Sequence, residues 1–231
     1  MEVFMGLSRS GKGTTRTRAS LCGMPGTVLL SAFYFGSAEH YALIARSERV
    51  IIDVGEHFQR QSYRTRTSII GPNGKQDLTV SIARRSGEKM PMRTVKLSYV
   101  EPWNLQHVQA IRSAYGQTPW FIHFIDEIEA MLTPRYERLI DLDLATMRMI
   151  LTWLRISTPV ELREDYVEDT EDLIDHRVDL HPKRPLPSSI SAVPEYQQIF
   201  SDRHGYSGRL SILDLLMNTG PEAGAIMRRM S

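Results

Sequence analysis

The sequence predicts a mixed α and β (α+β) fold, with a sheet-rich half up to about residue 100 and a mainly helical half after it. Before residue 100, apolar residues alternate with polar ones or form short β-branched runs, as in strands. From Trp103 onward they recur every three or four positions, as on one face of a helix. A chain of 231 residues can bury a sizeable core, so we expect one domain over 24–231, sheet-rich over 24–100 and helix-rich over 101–231.

The first predicted elements form a strand, a short helix and a second strand. Thr27–Phe33 (TVLLSAF) is a nearly all-apolar run, typical of a buried strand. Ser37 can cap a helix over Ala38–Arg46, and Val50–Val54 is a second short strand. The two strands could pair in parallel, although the helix is barely long enough for the crossover.

A hairpin is the surest strand pairing in the sequence. Arg64–Ile70 and Leu78–Ile82 flank the turn Gly71-Pro72-Asn73-Gly74, and Thr94–Val100 alternates as a further strand. We therefore expect a mixed or antiparallel sheet. In a strand that begins at Arg64, the two-residue period places Arg64 and Arg66 on the same face.

Three consecutive helices are predicted next: Trp103–Tyr115, Pro119–Leu132, and a third that ends near Arg155. Thr-Pro pairs start the second and third helices, because proline fits the first helical turn. The acidic stretch Glu161–Asp179 is predicted to be a solvated, partly helical segment.

The C-terminal region has a connector and two short helices. The Pro-rich stretch His181–Ser189 cannot be helix or central strand. Ser211 and Asp214 resemble a capping box that opens a helix over Ile212–Asn218. Gly220 ends that helix, and a final helix follows.

Composition excludes several classes of protein. The net charge of +1 gives no reason to expect nucleic-acid binding, and no apolar run is long enough for a membrane span. Cys22 is the only cysteine, so no internal disulfide can form. We expect a cytoplasmic protein without a metal or other cofactor, since no metal-ligand spacing or dinucleotide fingerprint occurs.

The basic stretch over residues 1–23 is too polar to help build a core. It is a flexible tail, a targeting segment, or the product of an upstream start, with synthesis beginning at Met24. Within it, Gly6–Thr14 matches the spacing of a phosphate-binding loop. The context disfavours that function, since such a loop must follow a buried strand and open a helix.

Two basic groups are candidates for binding an anion. Arg64 and Arg66 could hold phosphate or carboxylate through their guanidinium forks, or could simply face water on the hairpin. Arg177, His181 and Lys183 precede the Pro-rich connector and could likewise bind an anion or pair with nearby acids.

Histidine is the only predicted proton-transfer group, because the sequence has no serine elbow or carboxylate pair of catalytic spacing. His107 and His123 follow Trp103 and Pro119 by one helical turn each. Either could be a general base or a packed core residue.

Several strings recur in order along the chain. They are Arg60–Arg66 (RQSYRTR), the Pro72-Asn73-Gly74 turn, Trp103, His107, Tyr115, Pro119, Phe121, Asp175–Lys183 (DHRVDLHPK), Pro194–Phe200 (PEYQQIF), His204 and Leu210–Glu222 (LSILDLLMNTGPE). Together they resemble the WbqC-like protein family, a bacterial group whose namesake belongs to an O-antigen gene cluster. The resemblance covers about Thr27–Ala225. It departs from the family pattern at Ser81, Met217 and Thr219, which weakens it in the second hairpin strand and the last helix.

The resemblance implies a role in surface polysaccharide or glycan-precursor biosynthesis, and no particular reaction. One hypothesis is a cytoplasmic enzyme that transfers an acyl or aminoacyl group to a nucleotide-linked sugar. Its substrate-binding residues would be Arg64, Arg66, Arg177 and Lys183, and its catalytic residue His107 or His181. The other hypothesis is a non-catalytic binding or assembly protein that works with enzymes of the same pathway.

Overall fold

The computed structural model describes residues 24–83, 89–133, 135–168 and 172–230. The phosphate-loop match at Gly6–Thr14 lies outside these residues. The strands are β1 (Met24–Leu30), β2 (Ser47–Asp53), β3 (Arg66–Gly71), β4 (Gly74–Thr79), β5 (Val160–Arg163) and β6 (Leu173–Asp175). The helices are α1 (Ala38–Arg46), α2 (Trp103–Tyr115), α3 (Phe121–Leu132), α4 (Leu139–Leu154), α5 (Ser201–His204), α6 (Ile212–Thr219) and α7 (Ala223–Arg228).

The larger sheet has four parallel strands in the order β5-β2-β1-β6. Its centre is β1, where Val28 lies between Val50 of β2 and Ile174 of β6. Val28 and Val50 are fully buried, as expected where elements cover both faces of a parallel sheet. The predicted parallel unit β1-α1-β2 is confirmed.

The predicted mixed fold class is confirmed, but the strands divide differently from the expectation. The hairpin β3-β4 forms a separate antiparallel sheet of two strands. The prediction of a solvated, partly helical acidic stretch was wrong, because β5 and β6 join the parallel sheet from it. Each of these strands has only three or four residues, too few to show an alternating pattern between acids.

The predicted strand at Thr94–Val100 was also wrong. Met92–Thr94 form one turn of 3-10 helix, and the following residues make only the isolated bridges Ile82–Leu97 and Lys96–Arg138. Val95 and Leu97 are buried against the core, so the alternation reflects burial of every second residue without a strand ladder.

The three long helices are confirmed, but the predicted Thr-Pro starts were wrong, because α3 begins at Phe121 and α4 at Leu139. The bounds of α2 match the prediction, and α3 begins two residues later than predicted. Ser211 caps α6, since its hydroxyl accepts from the Leu213 N–H at 3.3 Å. The prediction of a full capping box was wrong, because the Ser211 N–H donates to the carbonyl of Ser68 and not to the Asp214 side chain. The Asp214 carboxylate instead accepts from the Tyr196 hydroxyl at 2.6 Å.

Helix α6 ends at Gly220, where the backbone φ of +52° favours glycine. A Cβ at this position would lie 2.2 Å from the Trp120 ring. None of the helices in the described part of the chain combines the length and apolar character needed to cross a bilayer.

Candidate functional site

Polar side chains gather at the carboxyl edge of the parallel sheet. Ser31 follows β1, Glu56 lies three residues after β2, and Arg177 lies two residues after β6. In open parallel sheets the carboxyl ends of the strands meet at one edge, and ligands commonly bind there, where neighbouring strands connect in opposite directions. In this sheet β1 connects to β2 on one side, and its other neighbour, β6, leads into the C-terminal helices. The chain connections therefore diverge between β1 and β6.

Arg64 lies at the centre of this edge and is only 1% exposed. Its Nε and Nη2 atoms donate to the two carboxylate oxygens of Glu56 at 2.8 and 2.6 Å. Nη2 also donates to the Ser31 hydroxyl at 2.5 Å and to the carbonyl of Arg177 at 3.3 Å. The guanidinium therefore links the ends of three segments, and its charge is balanced inside the protein.

Arg177 has a comparable set of partners. Its Nη1 donates to Asp53 at 2.5 Å and to the carbonyl of Val167 at 2.8 Å. Its Nη2 donates to Asp175 at 2.6 Å, and the guanidinium lies over the Tyr166 ring. Arg177 is thus a buried cation held by two carboxylates.

The structure brings Arg64 and Arg177 together through the Arg177 carbonyl, but it separates Arg64 from Arg66. The expected shared strand face was wrong, because β3 begins at Arg66 and Arg64 lies in the turn before it. Arg66 pairs with Asp77 of β4 at 3.6 Å. Whether these arginines bind an anion stays a prediction.

A second group of cations surrounds His181. We call His181, Lys183, Arg184 and Arg209 the basic cluster. Lys183 donates through Nζ to Gln61 Oε1 at 2.5 Å and through its backbone N–H to His181 Nδ1 at 3.2 Å. Arg209 donates to the backbone carbonyls of His181 and Arg184. In the described part of the chain, no carboxylate forms an ion pair with Lys183, Arg184 or Arg209.

The basic cluster changes the titration of His181. Partial burial lowers the pKa of His181, and the positive charges of Arg184, Arg64, Lys183 and Arg209 lower it further. The imidazole is therefore mainly neutral at pH 7. An anion bound among these groups would raise the pKa again.

His107 is enclosed elsewhere in the core. It is 5% exposed, its Nδ1 lies 2.9 Å from the Tyr34 hydroxyl, and its ring packs on Trp103. Burial lowers the pKa of His107 to about 4. Its described partners do not include any member of the basic cluster.

Glu39 and His40, in the first turn of α1, were missed by the sequence analysis. Glu39 is 1% exposed, and neither carboxylate oxygen has a hydrogen-bond donor among the described residues. Both ring nitrogens of His40 likewise lack a partner there. Burial, followed by the charge of Arg64, lowers the pKa of His40 to about 3. No sequence motif marks either residue, because a buried side chain without a partner is recognised only from its surroundings in three dimensions.

Tyr63 connects the basic cluster with Glu39. Burial raises the pKa of Tyr63, the positive charge of Arg209 opposes that rise, and the charge of Glu39 adds to it. Burial and then the charge of Glu39 raise the pKa of Tyr206 to about 12. The candidate site therefore consists of the basic cluster, Tyr63, Tyr206, Glu39 and His40.

The described residues contain no group of three or more His, Cys, Asp or Glu side chains placed to hold a metal ion. A sequence model of the WbqC-like protein family matches residues 32–184. The match includes Glu39, Tyr63 and three members of the basic cluster. Searches of curated proteins and of solved structures found no significant match. Since the family match covers well over half of the chain, this protein belongs to the WbqC-like protein family.

Proposed function

We propose that this protein is an enzyme of bacterial surface polysaccharide (O-antigen) or glycan-precursor biosynthesis. In this proposal it transfers an acyl or aminoacyl group to a sugar carried on a nucleotide. The pathway rests on membership of the WbqC-like family, and the substrate class rests on the candidate site.

The basic cluster is the observation that carries the proposal. Lys183, Arg184 and Arg209 lie around a half-buried histidine and are not paired with carboxylates among the described residues. Guanidinium and ammonium groups bind the oxygens of a diphosphate through charge-assisted hydrogen bonds. A nucleotide diphosphate sugar supplies that anion together with a neutral or cationic sugar.

The arginines at the sheet edge have a different part in this proposal. Arg64 and Arg177 already donate to Glu56, Asp53 and Asp175, so we assign them as positioning residues that hold the strand ends together. Arg64 also contributes positive potential at His181. Arg66 stays outside the proposed site, because it pairs with Asp77 on the hairpin.

His181 is the histidine that the proposal retains. A neutral imidazole among cations takes up a proton when a diphosphate binds, and it then donates to a phosphate oxygen. His107 is left out, because its Nδ1 is bonded to Tyr34 and its ring is buried against Trp103.

The proposed reaction has a simple balance. An amine or hydroxyl of the sugar attacks the acyl carbon of an activated ester or thioester, so a new amide or ester bond forms. The bond from the acyl carbon to the leaving oxygen or sulfur breaks, and the leaving group takes the electron pair. A neutral amine or hydroxyl releases one proton as it attacks, and a buried carboxylate or imidazole beside the sugar accepts it; a sugar that arrives as an ammonium first loses one proton to solvent, because the nitrogen needs its lone pair to attack.

Calorimetric titration with UDP-glucose, dTDP-glucose and GDP-mannose tests the anion site. We expect one of them to bind, and Lys183→Gln and Arg209→Gln to weaken that binding at least about tenfold, as loss of a charge-assisted contact does. Arg49→Gln is the matched control, since Arg49 is an exposed arginine of β2 paired with Glu161. No binding of any of the three, or equal weakening by Arg49→Gln, would overturn the anion site.

A binding or assembly protein is the second candidate function. Val100, Leu105 and Ile122 are 93%, 63% and 72% exposed, and exposed apolar side chains are a feature of protein contact surfaces. The two candidates differ in turnover. If the isolated protein acylates a bound nucleotide sugar from a thioester donor, the enzyme is favoured. Binding without turnover, together with recovery in a complex with a pathway enzyme, favours the assembly protein.

A further inference from the structure

We propose that Glu39 binds the amino group of the substrate, so that the ligand of this site is a nucleotide-linked sugar with a free amine. This inference rests on the proposed function, since it places the sugar of the bound nucleotide at α1. It adds the chemical group that the enzyme recognises and that would accept the acyl group.

The burial of Glu39 without partners is the first support. Its side chain is in the first turn of α1, is 1% exposed, and has no donor to either oxygen among the described residues. A carboxylate buried in this way costs free energy, because it has lost its hydration without gaining hydrogen bonds. A ligand that supplies N–H donors would remove that cost on binding.

Glu56 shows how the same protein satisfies a structural carboxylate. It is 3% exposed, and its two oxygens accept from Arg64 and from the Ser31 hydroxyl. Glu39 is similarly buried, but no arginine or hydroxyl group among the described residues donates a hydrogen bond to it. The contrast between two buried glutamates at the same edge of the sheet indicates that the partner of Glu39 comes from a ligand.

The charge around Glu39 favours an amine over a hydroxyl. A carboxylate only accepts hydrogen bonds, and an ammonium group offers three donors and the opposite charge. The charge of Glu39 acts on Tyr63 and Tyr206, which are both neutral because their pKa values are raised. Arg209 donates to the carbonyls of His181 and Arg184, and none of the described arginines forms an ion pair with Glu39.

The order of groups in the site matches a nucleotide-linked amino sugar. The basic cluster would hold the diphosphate, and the sugar would lie beside Tyr63, which is under the influence of both Arg209 and Glu39. Tyr206 and Arg209 belong to a segment outside the helices and strands, with glycine at 205 and 208. A shift of this segment would admit the sugar amine to Glu39.

Calorimetry with matched probes tests the inference. The pair is UDP-glucosamine and UDP-glucose, which differ only in an amine for a hydroxyl at one carbon; dTDP-4-amino-4,6-dideoxyglucose and dTDP-4,6-dideoxyglucose form a second pair. We expect the wild type to bind one amine probe at least about tenfold more tightly than its partner. Glu39→Gln should bind both members of the pair alike. The exposed Glu48→Gln on β2 serves as the control and should keep the preference.

Thermal unfolding of the ligand-free variants separates a binding role from a structural one. Removing an unpartnered buried charge should raise the melting temperature of Glu39→Gln by about 2–4 °C for a chain of this size. Three results would overturn the inference: equal binding of the amine and amine-free probes by the wild type, a Glu39→Gln variant that still prefers the amine probe, or a lower melting temperature of Glu39→Gln. If an amine-free probe still binds tightly when the inference fails, the proposed anion site remains supported. No binding of any probe would overturn both.

Discussion

The guanidinium of Arg64 and the carboxylate of Glu56 form a buried bidentate ion pair, with Nε–Oε1 and Nη2–Oε2 distances of 2.8 and 2.6 Å. Arg64 also bonds the Ser31 hydroxyl and the Arg177 carbonyl. The pair therefore joins the carboxyl ends of β1, β2 and β6. This is the frame on which the candidate site is built.

Breaking this pair should destabilise the protein strongly. We expect Glu56→Gln to lower the free energy of unfolding by about 3–5 kcal/mol, because it leaves the Arg64 guanidinium buried without its counter-charge. Urea denaturation followed by circular dichroism measures the change. The exposed pair Arg93–Asp165 is the control, and Asp165→Asn should change the free energy of unfolding far less than Glu56→Gln does. Equal costs for the two variants would mean that the buried pair does not stabilise the fold.

Gly55 should be intolerant of a side chain. A Cβ there would lie 2.4 Å from the Tyr166 backbone nitrogen and 2.5 Å from the Asp165 carbonyl carbon, and backbone atoms cannot give way cheaply. Gly55→Ala should therefore destabilise the protein by at least about 2 kcal/mol. Gly71→Ala is the control, because its Cβ would meet only the Ala114 side chain at 3.9 Å. Similar melting temperatures for the two variants would contradict this packing.

Stability should fall in mild acid because of His40 and His107. Burial lowers the pKa values of these histidines to about 3 and about 4. Below about pH 6.5 the unfolded chain takes up protons that the folded protein does not, so stability decreases as the pH falls towards these values. The slope should approach about 1.4 kcal/mol per pH unit for each histidine. Urea denaturation between about pH 7 and 4 measures it.

A histidine variant makes the pH dependence specific. His107→Gln should lose one histidine's share of the slope. A wild-type slope of zero over this range would contradict the buried, neutral state of both rings.

Binding of a diphosphate should be coupled to protonation of His181. The pKa of free His181 is lowered by burial and by its cationic neighbours, and a bound anion raises it. The affinity for UDP-glucose should therefore increase as the pH falls, by about tenfold for each unit by which binding raises the pKa. Calorimetry between about pH 8 and 5 measures the trend, since the diphosphate diester keeps its charge in that range. His181→Gln should give a flat profile, and a pH-dependent profile in that variant would assign the effect to another group.

The sequence predicted well those helices and strands whose apolar residues repeat regularly. The bounds of α2 and the unit β1-α1-β2 could be predicted because their apolar residues recur in a regular pattern and are buried in the folded protein. The edge strands β5 and β6 could not be predicted, because three or four residues between acids carry no detectable period and pair only when β1 and β2 are already in place.

The candidate site was less predictable than the fold. Arg64 looked exposed because a strand was expected to begin there, and its partner Glu56 lies eight residues earlier in an irregular segment. Glu39 gave no motif, since an unpartnered carboxylate is recognised only from the side chains that surround it in three dimensions. His181 and Lys183 were identified in the sequence, but Arg209 joins them through a contact between distant segments.

A crystal structure of the protein with UDP-glucosamine or dTDP-4-amino-4,6-dideoxyglucose bound tests the central claim most directly. We predict diphosphate oxygens within about 3.2 Å of the Lys183 ammonium and the Arg209 guanidinium, and the sugar nitrogen within about 3.2 Å of a Glu39 oxygen. A ligand bound at another surface, or a diphosphate held by Arg64 and Arg177 with the basic cluster empty, would contradict it.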